Sequence, residues 1–290
     1  MTENPYLIQG PALISFSGGR TSGYMLKHIL DAHGGTLPAD VHVAFANTGR
    51  EMPETLDFVQ ECSERWGVYI AWLEFDAEAE HRTRIVSHNS ACRNGEPLAA
   101  VLGLRAMPAN PVARFCTIDG KIKRLQAYMR RILGYPAWSS IVGLRADEMS
   151  RVEKQRRRAE SGKDGKGIGI PVMPLAEAGV SRHDVAAWWA VQPFDLRLQN
   201  VGGRTPLGNC DLCFLKNTAT LVGILRDQPE LADWWIVQER RFESTKHPGS
   251  YAHFRKDRPS YADLLRLSRD QGDLLTLEPE EESLDCACTD

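Results

Sequence analysis

Short apolar runs bounded by polar turns recur through the first half of the chain. ALISF (12–16), VHVAFA (41–46), VYIAWLEF (68–75) and WSSIVGL (138–144) are runs of the length and composition of buried strands. Segments with apolar residues at helical spacing lie between them, over 21–33, 53–66 and 119–133. This strand–helix alternation predicts an α/β fold, a doubly wound parallel sheet with helices on both faces. Ligands of such sheets sit beyond the carboxyl ends of the strands, where Ser17, Asn47 and Arg145 fall.

Two stretches break the alternation. Residues 76–118 read as a long irregular insertion with several prolines, and 146–169 as a polar, basic, glycine-punctuated loop containing Arg156, Arg157 and Arg158 in succession. That loop is either a solvated surface or a flap that closes over phosphates or a nucleic-acid strand. From Pro171 onward the pattern is helical. SRHDVAAWWAVQ opens with Ser181 as a candidate N-cap, and further helices are predicted over 218–227, 230–241 and 260–270, their tryptophans serving as core. Two regions are expected, 1–175 as a nucleotide-binding α/β domain and 176–290 as a helical region bearing cysteines.

The first strand ends in Ser17-Gly18-Gly19-Arg20-Thr21-Ser22 and a helix pattern follows at once. Glycines allow positive φ and close ligand approach, and successive N–H groups ahead of a helix N-terminus form an anion cradle. The hydroxyls add donors and Arg20 adds a cation suited to phosphate. Two glycines, three hydroxyls and an arginine exceed what an N-cap requires, so the hexapeptide predicts phosphate binding.

Composition narrows the rest. The 290-residue chain carries a net charge of −3, without the global basic field of a nucleic-acid coating protein. No apolar run approaches the ~20 residues of a membrane span, and MTENPYLIQG lacks the marks of a signal peptide. A cytoplasmic protein, not a membrane protein, is expected. In a reducing compartment seven cysteines point away from a disulfide framework. Cys62 reads as packing within a helix; Cys92, Cys116, Cys210, Cys213, Cys286 and Cys288 lie in loop-like or terminal settings, which suggests a metal site or redox chemistry. The Cys210–Cys213 pair alone is compatible with a redox couple, half a zinc site or part of an iron–sulfur site.

The hexapeptide resembles the PP-loop, SGGxxS, of the adenine-nucleotide α-hydrolase-like enzymes that split ATP between its α and β phosphates, with Arg20-Thr21 where Lys-Asp is usual. Four further stretches resemble the phosphoadenosine phosphosulfate reductase family: FANTGREMPETLDFV (45–59), RFCTIDGKIKR (114–124), IVGLRADEMSR (141–151) and IPVMPLAEAGVSRHDVAAWW (170–189). The resemblance implies a Rossmann-type nucleotide-binding sheet. It implies an adenine-nucleotide site formed by Ser15, Ser17, Gly18, Gly19, Arg20, Thr21, Ser22, Asn47, Thr48, Gly49, Lys121, Arg145 and Glu148, with Arg20 and Arg145 acting on developing charge. ATP brings Mg²⁺, and Cys116, Cys210 and Cys213 are implied for a 4Fe–4S cluster, either with an open iron position or with a tail cysteine, Cys288 or Cys286, as a fourth ligand. Cys286 and Cys288 are equally candidates for the mobile nucleophilic thiol of sulfonucleotide reductases.

The resemblance admits two reactions. One adenylates a substrate with release of pyrophosphate, for sulfur transfer or for nucleotide or nucleic-acid modification, with a nucleic acid or sulfur donor as partner. The other releases sulfite from adenylyl sulfate or its 3′-phosphorylated form. The retained Gly18-Gly19 favours ATP cleavage, while the tail cysteines favour reduction. A non-catalytic nucleotide sensor is a third reading, and a homodimer is the commonest assembly such a chain adopts.

Overall fold

The computed structural model describes residues 4–160, 169–242 and 252–270. Six strands form one sheet in the order β4-β3-β2-β1-β5-β6, with β1 Ala12–Ser15, β2 Val41–Asn47, β3 Ile70–Phe75, β4 Thr83–Val86, β5 Ser139–Ile141 and β6 Ile170–Val172. All neighbours pair in parallel except β3 and β4. The expected α/β sheet is therefore present, with an antiparallel edge at β4.

Burial on both faces explains the near-continuous apolar strands. Ala12, Ile14 and Phe16 of the first run pack with Met25, Leu26, Ile29 and Leu30 of α1 (Arg20–Ala32) and with Leu56, Phe58 and Val59 of α2 (Pro53–Trp66). Leu13 faces the other way, joining Ala44, Ala71 and Leu73 beneath Tyr128, Met129 and Trp138. Pro53 occupies the first turn of α2, where its missing N–H costs nothing, and Gly67 closes that helix in the left-handed region at φ 61°.

The structure revises the two ambiguous stretches. Within 76–118 it forms β4 and α3 (Glu96–Arg105), and the helix predicted from 119 begins at Phe115 and continues to Ile132 with π turns at Ile118–Ile122 and Tyr128–Ile132. Half of the predicted 146–169 loop is a helix, Met149–Glu160, whose only buried side chain is Val152. A helix that buries one residue leaves almost no apolar periodicity to read. Residues 161–168 lie outside the described set.

Ser181 caps the Arg182–Trp189 helix, accepting from the Asp184 N–H while the Asp184 carboxylate accepts from the Ser181 N–H. Trp189 and Trp235 are core residues. The cores do not divide at 175. Leu175, Val180, Val185, Trp189, Leu196 and Leu198 complete the cluster around α1 and α2, whereas Leu212 to Leu264 build a second cluster on Phe75, α3 and Phe115. Among the described residues no helix is long and apolar enough to cross a membrane.

Candidate functional site

Strand order reverses at β1: the chain moves from β1 outward to β2 and β3, then returns to place β5 on the opposite side. The crevice between β1 and β5 is the topological switch point where open α/β sheets bind ligands. A cleft of about 980 Å³, including solvent at its mouth, opens there, lined by Ser15, Ser17, Ser140, Lys121, Gln155 and Arg158 among others.

The hexapeptide turn meets this cleft through its first residue, Ser17. Ser22 Oγ accepts from both the N–H (3.3 Å) and the hydroxyl (3.0 Å) of Ser17 and donates to the Gly19 carbonyl (2.9 Å), so a single hydroxyl shapes the turn. Gly18 sits at φ +80°, where an added Cβ would stand 2.7 Å from Thr55 Cγ2. Both the dihedral and the contact require glycine. Gly19 is the N-cap of α1, whose first-turn N–H groups have no intrahelical acceptor.

Arg145 lies against Thr21 of this turn with 7% exposure. Its Nη1 donates to Thr21 Oγ1 at 2.9 Å and its Nε to Asp147 Oδ1 at 3.0 Å. Glu148 accepts from the Arg145 backbone N–H at 3.0 Å and pairs with the guanidiniums of Arg145 and Arg151. Thr21, Arg145 and Glu148 thus form one cross-linked unit at the β1–β5 crevice.

Arg20 is committed elsewhere. Its Nε and Nη2 make a bidentate pair with Asp195 (2.7 and 2.8 Å), Nη1 reaches Thr205 Oγ1 (3.0 Å), and Nη2 also meets the carbonyls of Leu196 and Leu198. Its carbonyl accepts from Trp189 Nε1 at 2.7 Å. The guanidinium expected on phosphate instead clamps the 195–205 segment onto the start of α1, because Asp195 offers it a two-point carboxylate partner.

The end of β2 is likewise committed. Asn47 is fully buried, its amide donating to Glu74 (2.7 Å) and the Cys92 carbonyl (2.8 Å) while its oxygen accepts from the Gly49 N–H. Thr48 donates through N–H and hydroxyl to Glu51 Oε2 (2.9 and 2.7 Å) and lies 3.3 Å from Cys210 Sγ. The side chains of Asn47 and Thr48, expected at the nucleotide, therefore hold this corner together. Gly49, at φ +77°, is where the chain passes Gly95 at backbone distance. Lys121 lines the cleft and also reaches Glu51 Oε1 at 3.2 Å.

Glu51, Asp195 and Gln155 were not singled out by sequence. Glu51 alone left a trace there, as the acidic residue three after Thr48 in a capping-box spacing.

Cys210 and Cys213 share one tight turn, the Cys213 N–H donating to the Cys210 carbonyl at 3.2 Å, and Cys116 packs on the same apolar cluster. Burial, reinforced by the Glu51 charge, pushes the Cys210 thiol well up, against the pull of Lys121. Three soft donors on one cluster suit iron–sulfur or zinc chemistry, but no three Cys, His, Asp or Glu side chains converge into a metal-holding group among the described residues. The donor set fits such a centre in kind and does not close it in this geometry. Cys286 and Cys288 lie outside the described residues.

Comparison with known proteins gives three findings. The family model described as phosphoadenosine phosphosulfate reductase domain matches residues 11–190, from β1 to the end of the Arg182–Trp189 helix. An uncharacterized nin region protein ORF290 of Escherichia phage lambda is 29% identical over 231 residues, 76% of this chain and 71% of the relative. Among solved structures, the U34-tRNA thiolase NcsA from Methanococcus maripaludis, with its 4Fe-4S cluster, aligns at 15% identity and a TM-score of 0.41 over 96% of this chain and 78% of that one.

Proposed function

The chain belongs to the phosphoadenosine phosphosulfate reductase domain family, and from that premise we propose that it is a PP-loop enzyme that adenylates a substrate with ATP and releases pyrophosphate. The carrying observation is the unit formed by the Ser17–Ser22 turn and Arg145 at the β1–β5 crevice. A substrate oxygen bonds to the α phosphorus as the bond from that phosphorus to the α–β bridging oxygen breaks, its electron pair leaving with pyrophosphate. A sulfur or nitrogen nucleophile then displaces AMP. Backbone N–H groups at the start of α1 and the Arg145 guanidinium stabilise the departing charge. Arg145 is already fixed by Thr21, Asp147 and Glu148, so little reorganisation is needed. Mg²⁺ enters with the nucleotide.

The proposal includes an iron–sulfur cluster on Cys116, Cys210 and Cys213, with Cys288 or a non-cysteine group as the fourth ligand. Its support is donor chemistry: three thiols on one apolar cluster, where a thiolate is favoured only by a cation or metal. Loading would require Cys116 to close on the Cys210–Cys213 turn. Iron and acid-labile sulfide, measured in anaerobically purified protein and in Cys210→Ser, test it.

Anaerobic incubation with ATP, adenylyl sulfate and phosphoadenylyl sulfate, each with Mg²⁺ and thiol reductant, tests the reaction. Pyrophosphate and AMP from ATP without sulfite support adenylation. Sulfite from a sulfated nucleotide with ATP untouched overturns it in favour of a tail-cysteine reductase. Stoichiometric ATP binding without turnover, persisting when acceptor nucleic acid is added, marks a sensor instead.

A further inference from the structure

The Met149–Glu160 helix is polar nearly all round, with five Lys or Arg against two Glu in a chain of net charge −3. Its position relates it to the site. It begins four residues after Arg145, and its Gln155 and Arg158, one turn apart, line the cleft. At 3.6 residues per turn, the flank beginning at Gln155 carries Arg151, Arg158, Lys154 and Arg157 in angular order, the four cations spanning about 120°. Both glutamates, Glu153 and Glu160, lie on the other side with Arg156. Lys154, Arg156 and Arg157 are exposed.

We infer that this cationic flank is the docking track for a nucleic-acid strand, whose phosphodiester backbone lies along the helix and delivers a nucleotide to the cleft mouth. This rests on the reading of the cleft as the adenylation site and names its acceptor class. Charge complementarity selects the partner. Protein interfaces have an apolar or aromatic core, and a membrane-surface helix needs an apolar face with anchoring side chains. Apart from Met149 at its first residue, this helix exposes neither, whereas nucleic-acid interfaces are polar and positively charged. Arg157 is paired with Glu153, but both are exposed, and a pair of that kind exchanges readily for phosphate. Lys154 and Arg157 do not line the cleft, unlike Gln155 and Arg158, so they are left for a ligand that extends past its mouth.

The test uses full-length protein and fluorescein-labelled 20-nucleotide single strands of mixed-sequence RNA and DNA, titrated from 50 to 300 mM salt. The expected result is salt-dependent binding that Lys154→Gln/Arg157→Gln weakens roughly tenfold or more at low salt. That variant should also flatten the slope of log affinity against log salt by about 1.4, at 0.7 per phosphate contact. Arg156→Gln, on the opposite flank, should change little. Preference between the RNA and DNA probes identifies the strand type. Absence of binding at 50 mM salt, equal weakening by Arg156→Gln, or tighter binding to phosphatidylserine vesicles than to either strand overturns the inference. ATP binding, followed by calorimetry in the same proteins, separates the two readings. A variant that loses the strand but keeps ATP isolates the track, and a wild type that binds the strand but neither binds nor cleaves ATP rejects the adenylation site alone.

Discussion

The corners that follow β1 and β2 are built from similar residues and end in different states. After β1, Ser17 to Ser22 shape a turn with one internal hydroxyl network and leave the start of α1 open beside a cleft. After β2, Asn47 to Glu51 enter a closed corner. Asn47 is tied to Glu74 and Cys92, Thr48 to Glu51, and Arg50 to Asp211, which also accepts from Trp235 Nε1 at 2.9 Å. An open corner offers donors to a ligand, and a closed one holds two cores together. Substitutions after β1 should therefore lower turnover more than stability, and substitutions after β2 the reverse.

The largest effect belongs to the closed corner. Asp211 and Arg50 are 3% and 11% exposed in their side chains, so Asp211→Ala leaves a buried guanidinium without its carboxylate. The expected cost is about 3–5 kcal/mol in denaturant unfolding. A loss below about 1 kcal/mol would remove the contrast between the corners. Next comes Arg145→Ala, expected to slow pyrophosphate release about 10²–10³-fold. Glu148 keeps Arg151 as partner, so this variant should stay folded. Lysine at 145 should rescue only in part, since an ammonium cannot reproduce the fork to Thr21 and Asp147.

Gly18→Ala is intermediate. Alanine at φ +80° is strained and meets Thr55 Cγ2, so about 1–3 kcal/mol of stability should be lost together with ATP affinity. Adding Thr55→Ser removes the methyl but not the dihedral strain, and should recover part of the stability. Full recovery would show that the contact, rather than the backbone, demands glycine.

The same contrast explains what was legible in the sequence. Strands β1, β2, β3 and β5 and the turn after β1 are local: apolar runs, glycines and hydroxyls carry their own instructions. The equally short β5 sits inside the longer run 138–144, whereas β6, Ile170–Val172, has Pro171 at its centre and Pro174 close behind, which argues against a strand in the sequence. The Met149–Glu160 helix read as a loop because Val152 is the only side chain it buries. Side-chain contacts are not legible where partners are distant. Asp195 stands 175 residues from Arg20, and Cys210 stands 162 from Thr48. Nothing near Arg20 or Asn47 announces that its polar atoms are already taken. The network around Arg145 was legible because its partners Asp147 and Glu148, and Arg151 beyond them, are its own immediate sequence.

The smallest effect probes the closed corner through Cys92, whose N–H donates to Glu74 Oε1 at 2.7 Å and whose carbonyl accepts from Asn47. Burial and then the Glu74 charge push its thiol up to about 11, with Arg84 pulling the other way. The thiolate is the nucleophile, so a raised value means a slower reaction at neutral pH. At pH 8 roughly one molecule in a thousand carries the thiolate, and alkylation should rise about tenfold per pH unit until near 11. An ordinary thiol, titrating at about 8.5, would level off by pH 10. Iodoacetamide labelling of the Cys92 peptide, quantified by mass spectrometry from pH 7 to 10.5, reads this directly. A plateau below pH 9.5 would mean that burial and the Glu74 charge do not hold the Cys92 thiol up, and that the corner after β2 is more open than its hydrogen bonds imply.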